Sequence, residues 1–226
     1  MEFEPLLQKN AAILVIGIQN DYCDRNGALI KHWDLDVAPI TEMLSELPAF
    51  LDEARNCHIP IFWVQLSEDS AHMQKNFKLK MESLGKGALD LAVPGWWGHD
   101  WCGVKPVEGE HIFDCNNYDA LSNEKLRSSL KKGGIETLVV SGAYTSRAID
   151  TTVRSAATKG YNVFVPIELV AMPKQMEEEH YAALTVMNML FAYVMTKGFI
   201  LSVWNGKKLK KPSLPSAILK RIKGIR

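Results

Sequence analysis

The side chains of this sequence that suit chemistry are its thiols, a histidine set among tryptophans, and an arginine at a helix start. Cysteines stand at positions 23, 57, 102 and 115. None forms a C-x-x-C pair, and a chain of 226 residues needs no disulfide staples, so reduced thiols in a cytoplasmic setting are expected. A thiol attacks only as a thiolate with a base in hydrogen-bond reach. Most free cysteines are instead small apolar residues packed in a core. Arg147 falls in the first turn of an expected helix, where it pairs with Asp150, faces solvent or clamps an anion. Trp96, Trp97 and Trp101 flank His99; aromatics so placed suit a ligand wall or a subunit contact. The run Gln65–His72 (QLSEDSAH) holds one histidine among scattered acids. That is not a ligand set, so no metal is expected. Neither G-x-G-x-x-G nor the phosphate loop G-x-x-x-x-G-K-[ST] occurs, and no cofactor is expected.

The hydrophobic pattern says what must hold these residues. Ala11–Ile18 (AAILVIGI) is a short, unbroken apolar run, the kind that forms a strand buried on both faces of a parallel sheet. Further strands are expected at Pro60–Leu66, His111–Asp114, Glu136–Ser141, Tyr161–Ile167 and Phe199–Trp204. Apolar residues recur at helical spacing over Ile40–Cys57, where Pro48 predicts two pieces or a kink. Helices are also expected over Asn123–Lys132, Ser146–Lys159 and Lys174–Met195, punctuated by Gly133, Gly134, Gly160 and Pro173. Strands alternating with helices predict an α/β fold: a three-layer α/β/α sandwich on a mainly parallel, Rossmann-like sheet. Such sheets bind ligands beyond the carboxyl ends of their strands, where strand order reverses.

Composition narrows the function classes. The 26 basic and 26 acidic side chains cancel, hydrophobic residues make up 47% and charged residues 23%, which excludes a mainly disordered chain. The neutral balance argues against a dedicated nucleic-acid binder. No apolar run reaches about 18 residues, so no membrane span is expected. The acidic start Met1–Pro5 lacks the apolar region of a secretory signal. The pattern divides into one domain, 1–206, and a basic extension, 207–226. The extension carries Lys207, Lys208, Lys210, Lys211, Lys220, Arg221, Lys223 and Arg226 and no acid, so the body is acidic by the same amount. Ser213 or Ser216 could cap a short helix there, with Ala217, Ile218, Ile222 and Ile225 near one face. The favoured reading has this segment packed on the acidic body or a neighbouring subunit; the other has it on an anionic surface.

Three segments together resemble the isochorismatase-like, or cysteine hydrolase, superfamily. Ile13–Tyr22 (ILVIGIQNDY) is similar to its apolar strand followed by Asp-x-Gln-Asn-Asp-Phe. Pro94–His99 (PGWWGH), running on to Cys115–Leu121 (CNNYDAL), is similar to the segment ending in Lys-x-x-Tyr-x-Ala-Phe. Leu138–Tyr161 resembles a strand, Gly-x-x-Thr-x-x-Cys-Val and a helix ending in Gly-Tyr, and His180–Met195 resembles the last helix. The resemblance spans roughly Ala11–Trp204 and implies a catalytic cysteine, an aspartate that takes its proton and an assisting lysine. Those positions fall on Ala148, Gly17 and Cys115. None of these side chains can play the family's part.

What the resemblance leaves is a scaffold. It implies that Gln19, Asn20 and Asp21 brace the loop after the first strand, Asp21 as a turn or N-cap residue. It implies a non-proline cis peptide at Ala143–Tyr144 and an oxyanion hole from the N–H groups of Tyr144 and Ala148. The Tyr144 ring points into the pocket or into the core. Gln19, Trp97, His99, Tyr118 and Arg147 complete the pocket candidates. A rewired Cys115 nucleophile would need Asp114, His99 or Glu168 as its base. The expected function is therefore a pseudoenzyme that binds a small molecule or a protein partner, as a homo-oligomer. The rival is a hydrolase of a small amide or related C–N bond, rewired around Cys115 or a polarised water. A third class acts through the basic extension.

Overall fold

Strand β1, Ala11–Ile16, is buried along its whole length, as an unbroken apolar run requires. It lies at the centre of a computed structural model that describes residues 4–70, 73–83 and 89–207. In chain order, α1 (Glu4–Gln8) precedes β1, and α2 (Asn20–Cys23), α3 (Ala28–Trp33) and α4 (Ala38–Asn56) follow it. Then come β2 (Ile61–Leu66), α5 (Lys75–Ser83), β3 (His111–Cys115), α6 (Glu124–Lys132), β4 (Thr137–Ala143), α7 (Asp150–Thr158) and β5 (Asn162–Pro166). The chain continues through β6 (Val170–Ala171), α8 (Glu177–Leu190), β7 (Tyr193–Met195) and α9 (Lys197–Trp204). The strands form one seven-stranded sheet in the order β3-β2-β1-β4-β5-β7, with β6 paired to β4, and the pairings are parallel.

Right-handed crossovers put α4, which links β1 to β2, on one face and α7 and α8, which link strands running the other way across the sheet, on the opposite face. The contacts agree: α1, α4 and α9 pack together, and α7 packs on α8. The α/β/α sandwich expected from the sequence is the observed fold.

Several boundaries differ from expectation. Phe199–Trp204 is helical, not a strand: the Thr196 side chain caps α9 by accepting from the Phe199 N–H at 3.3 Å. The last strand is β7, within the apolar stretch expected to continue α8. The helix stops because the N–H groups of both Phe191 and Ala192 turn back to the Met187 carbonyl, and Asn188 Oδ1 takes the Val194 N–H. The helix after β4 starts later than Ser146, since Thr145–Ile149 forms a wider π-type turn. Helix α4 is one 19-residue helix. Pro48 sits on its exposed side, where a carbonyl left without a helical donor is free to be solvated. The expected helix within 207–226 lies outside the described residues.

Strands β1 and β4 approach closely at their carboxyl ends, where Ile16 faces Gly142 in register. Gly142 has φ +123°, and a Cβ there would overlap the Ile16 carbonyl oxygen. Gly142→Ala is expected to lower the unfolding free energy by about 2–4 kcal/mol. A shifted urea midpoint with an unchanged slope is the signature.

Candidate functional site

Strand order reverses between β1 and β4, which is where a sheet of this kind opens its ligand crevice. Here the base of the crevice is shut. Gly17, just after β1, has φ +67° and donates its N–H to the Val64 carbonyl at 3.0 Å. A Cβ at Gly17 would stand 2.5 Å from the Ala143 carbonyl oxygen and 3.2 Å from Leu66 Cδ1. The peptide between Ala143 and Tyr144 is cis, as the resemblance implied.

Tyr144 fills the space above. Its ring is buried, edge-on to Tyr22 at 6.4 Å, and its hydroxyl donates to the Tyr22 carbonyl at 2.9 Å. The Arg147 guanidinium covers the ring at 5.2 Å. Of the two orientations left open, the ring therefore takes the pocket and becomes part of the packed interior. The cavity left between Leu66, Tyr144 and Ala148 measures about 10 Å³, room for one water at most. Burial pushes the Tyr144 hydroxyl pKa far up, so the phenol stays neutral.

Outside this plug lies a polar cluster that joins two of the pocket candidates, Tyr118 and Arg147, to Glu68, which the sequence reading did not single out. Glu68, just after β2, accepts from the Tyr22 hydroxyl at 3.1 Å and from the Tyr118 hydroxyl at 3.0 Å. Desolvation raises the Glu68 pKa against the opposing pull of those two hydrogen bonds and the Arg147 charge. The Arg147 charge also acts on the Tyr118 hydroxyl, drawing its pKa down against the larger upward push of burial. Arg147 does not pair with Asp150, which is held by Arg154 at 2.9 Å. Glu68, Tyr118 and Arg147 floor a cavity of about 280 Å³ whose walls include Leu29, Trp33, Phe77 and Met176. A second cavity of about 200 Å³ shares Glu68, Tyr118 and Phe77.

Gly17 follows β1, Cys115 ends β3 and Ala148 lies in the turn after β4, all at the carboxyl end of the sheet. Cys115 of β3, two strands across from β1, pairs in register with Leu66 of β2. Its thiol turns toward the Asp119 carbonyl at 3.3 Å, Ser122 Oγ at 3.5 Å and Asn117 Oδ1 at 3.7 Å. None of the base candidates is among these partners. Asp114 stands 3.7 Å from His99 Nε2, Gln65 Nε2 approaches His99 Nδ1 at 3.2 Å, and Glu168 accepts the Lys197 N–H at 2.8 Å.

Gln19, Asn20 and Asp21 act as loop braces. Gln19 is buried, takes the Leu66 N–H at 2.7 Å and donates to the carbonyls of Leu66 and His99 at 3.0 and 3.2 Å. Asn20 donates to the Trp97 carbonyl at 2.8 Å. The Asp21 carboxylate accepts the N–H groups of Ala28 and Ala92 at 2.9 and 2.8 Å. Trp96 and Trp97 are 60% and 51% exposed and line none of the cavities described above. Trp101 instead packs edge-on against Trp63 at 5.2 Å.

Residues 11–198 match the isochorismatase domain. The chain belongs to the isochorismatase family. Among curated relatives, nicotinamidase 3 of Arabidopsis thaliana is 25% identical over 192 residues, covering 82% of this chain and 83% of that protein. The ureidoacrylate amidohydrolase RutB of Methylobacterium radiotolerans is 24% identical over 201 residues, covering 80% and 74%. Among solved structures, a cysteine hydrolase from Pseudomonas syringae superposes with a TM-score of 0.75 at 16% identity, covering 88% and 94%. A pyrazinamidase/nicotinamidase from Streptococcus mutans superposes with a TM-score of 0.66 at 20% identity, covering 82% and 99%. The isochorismatase fold thus accounts for the sheet and its crevice, while the Tyr144 plug and the Glu68 cluster are read from this chain's own side chains.

Two measurements check this geometry. Gly17→Asp forces a side chain into a left-handed backbone position beside the Ala143 carbonyl, and should destabilise by about 2–4 kcal/mol in urea. Glu68 has a folded-state pKa above its unfolded one. Its desolvation penalty therefore grows as pH rises through the interval between the two, from about 4.3 upward. The wild type should gain stability relative to Glu68→Gln as pH falls through its raised folded-state pKa toward about 4.3. A difference that stays flat would mean that the carboxylate is solvated.

Proposed function

We infer that this chain is a non-hydrolytic member of the isochorismatase family that binds a small amide-bearing molecule in the cavity above Tyr144. The observation that carries this reading is the 10 Å³ space beside Ala148. A carbonyl cannot reach Ala148 or Gly17 while Tyr144 is hydrogen-bonded across it, and neither residue offers a nucleophile or a base. Catalytic groups that act as a unit fail together, so the family's cysteine chemistry has no starting point.

The outer cavity supports binding. Its volume of about 280 Å³ suits a ligand of one ring or a short chain. Its floor offers an acceptor, Glu68, beside a donor, Arg147, under apolar walls. A carboxamide or ureido group presents the complement: N–H to the carboxylate and C=O to the guanidinium. The relatives named for nicotinamide and ureidoacrylate chemistry act on groups of this kind, which favours that ligand class here. A rewired hydrolase centred on Cys115 gains no support, because the thiol points at Asp119 and Ser122 rather than at a base.

Purified protein should show no turnover of nicotinamide or of N-carbamoyl amides above background, yet such compounds should raise its melting temperature. Arg147→Met should weaken that binding by about tenfold or more, the scale of one charge-assisted hydrogen bond. Turnover that disappears in Cys115→Ala would establish the rewired hydrolase instead. Absence of both turnover and binding across these compounds would overturn the ligand class.

A further inference from the structure

The largest described cavity lies away from the crevice. It is a groove of about 510 Å³ between the first half of α4 and the start of α8. Its floor is apolar, with Met43, Ile167, Val170 and Met172, and its rim is acidic, with Glu42, Glu46, Glu168 and Glu177. Two cations also line it, Lys174 and Lys197. Lys197 is engaged: its ammonium pairs with Glu46 and its backbone N–H goes to Glu168. Glu42 and Glu177 are exposed on the rim, and Glu178 and Glu179 continue the acidic stretch along α8.

We propose that this groove seats the chain's own C-terminal segment, residues 208–226. The complement is written in the sequence. Leu214, Ala217, Ile218, Ile222 and Ile225 match an apolar floor, and Lys220, Arg221 and Lys223, interleaved with them and free of acids, match an acidic rim. The connection is short. Helix α9 begins in the groove wall at Lys197 and runs about 12 Å to its end. The following residues can extend on the order of 60 Å, so a return to the groove is well within reach. Tethering then gives a millimolar-scale effective concentration, which favours this occupant over a second copy at ordinary protein concentrations. The seat also explains the charge asymmetry of a chain whose total charge is zero.

Limited trypsin digestion of the full-length protein tests the assignment, because the segment is rich in cleavage sites. Cleavage within 208–226, followed by intact mass, should be slow in the wild type. It should become about tenfold faster in the doubly substituted Glu42→Lys, Glu177→Lys protein, and likewise in Ile222→Asp, since cleavage tracks the undocked population. The substituted rim positions are exposed and Ile222 lies beyond residues 11–198 that match the family domain, so the fold should be kept, as an unchanged urea midpoint would verify. Light scattering should give the same mass for all three proteins. Equal cleavage rates in all three would overturn the proposal. Loss of assembly mass in the variants would place the segment on a second copy and overturn it too. So would salt-dependent binding of the wild type to anionic vesicles combined with rapid cleavage.

Discussion

Where β1 and β4 leave the sheet, two glycines let the strands meet backbone to backbone. Gly142 lies against the Ile16 carbonyl and Gly17 against that of Ala143. In a parallel sheet whose order reverses between these two strands, that seam is where a ligand crevice would open. Both glycines have positive φ, a conformation open to glycine at little cost and to other residues only under strain. The seam therefore decides which side chains can exist there. Position 17 cannot project a carboxylate without moving the Ala143 peptide, and the next residue after that peptide is Tyr144, whose ring occupies the space above.

The second layer follows from the first. A buried tyrosine needs a partner for its hydroxyl, and Tyr144 finds the Tyr22 carbonyl. Tyr22 in turn needs an acceptor for its own hydroxyl and finds Glu68. Glu68, drawn out of water, is compensated by a second tyrosine, Tyr118, and by the nearby Arg147 charge. A half-satisfied network of this kind would be costly. Closing the crevice with a phenol thus brings a chain of polar residues outward, and its last members, Glu68, Tyr118 and Arg147, form the floor of the cavity that remains accessible.

How much of this was legible depended on whether a residue's role was set locally. β1 could be read directly, because an unbroken apolar run buried on both faces has few alternatives. The end of α8 could not. Its apolar residues continue without a break into β7, and the stop is made by carbonyl and side-chain contacts of Met187 and Asn188 that leave no sequence punctuation. α9 carries a helix signal, Thr196 at its N-cap, that the strand expected over Phe199–Trp204 (FILSVW) leaves unread. Tyr144 was legible as unusual but not as oriented, since orientation depends on Tyr22, which is 122 residues away in sequence. Glu68 was passed over among scattered acids. Only the fold shows that it meets two tyrosine hydroxyls.

The same coupling bears on Gly17, Ala148 and Cys115, the positions where the resemblance implies a carboxylate, a thiol and a lysine. A carboxylate at 17 needs the seam to open. A lysine at 115 needs its side chain to leave the Asp119 and Ser122 contacts that hold the thiol and cross toward Leu66. Each change is blocked by a neighbour that is itself bonded elsewhere, so their effects cannot add as separate sites would. A packed interior responds to such conflicts by shifting between discrete arrangements rather than by yielding gradually. Glycine at 17, tyrosine at 144 and the outward acid–arginine pair therefore belong to one arrangement of the isochorismatase crevice. Placing a carboxylate at 17 and a lysine at 115 would require shifts of backbone as well as of side chains.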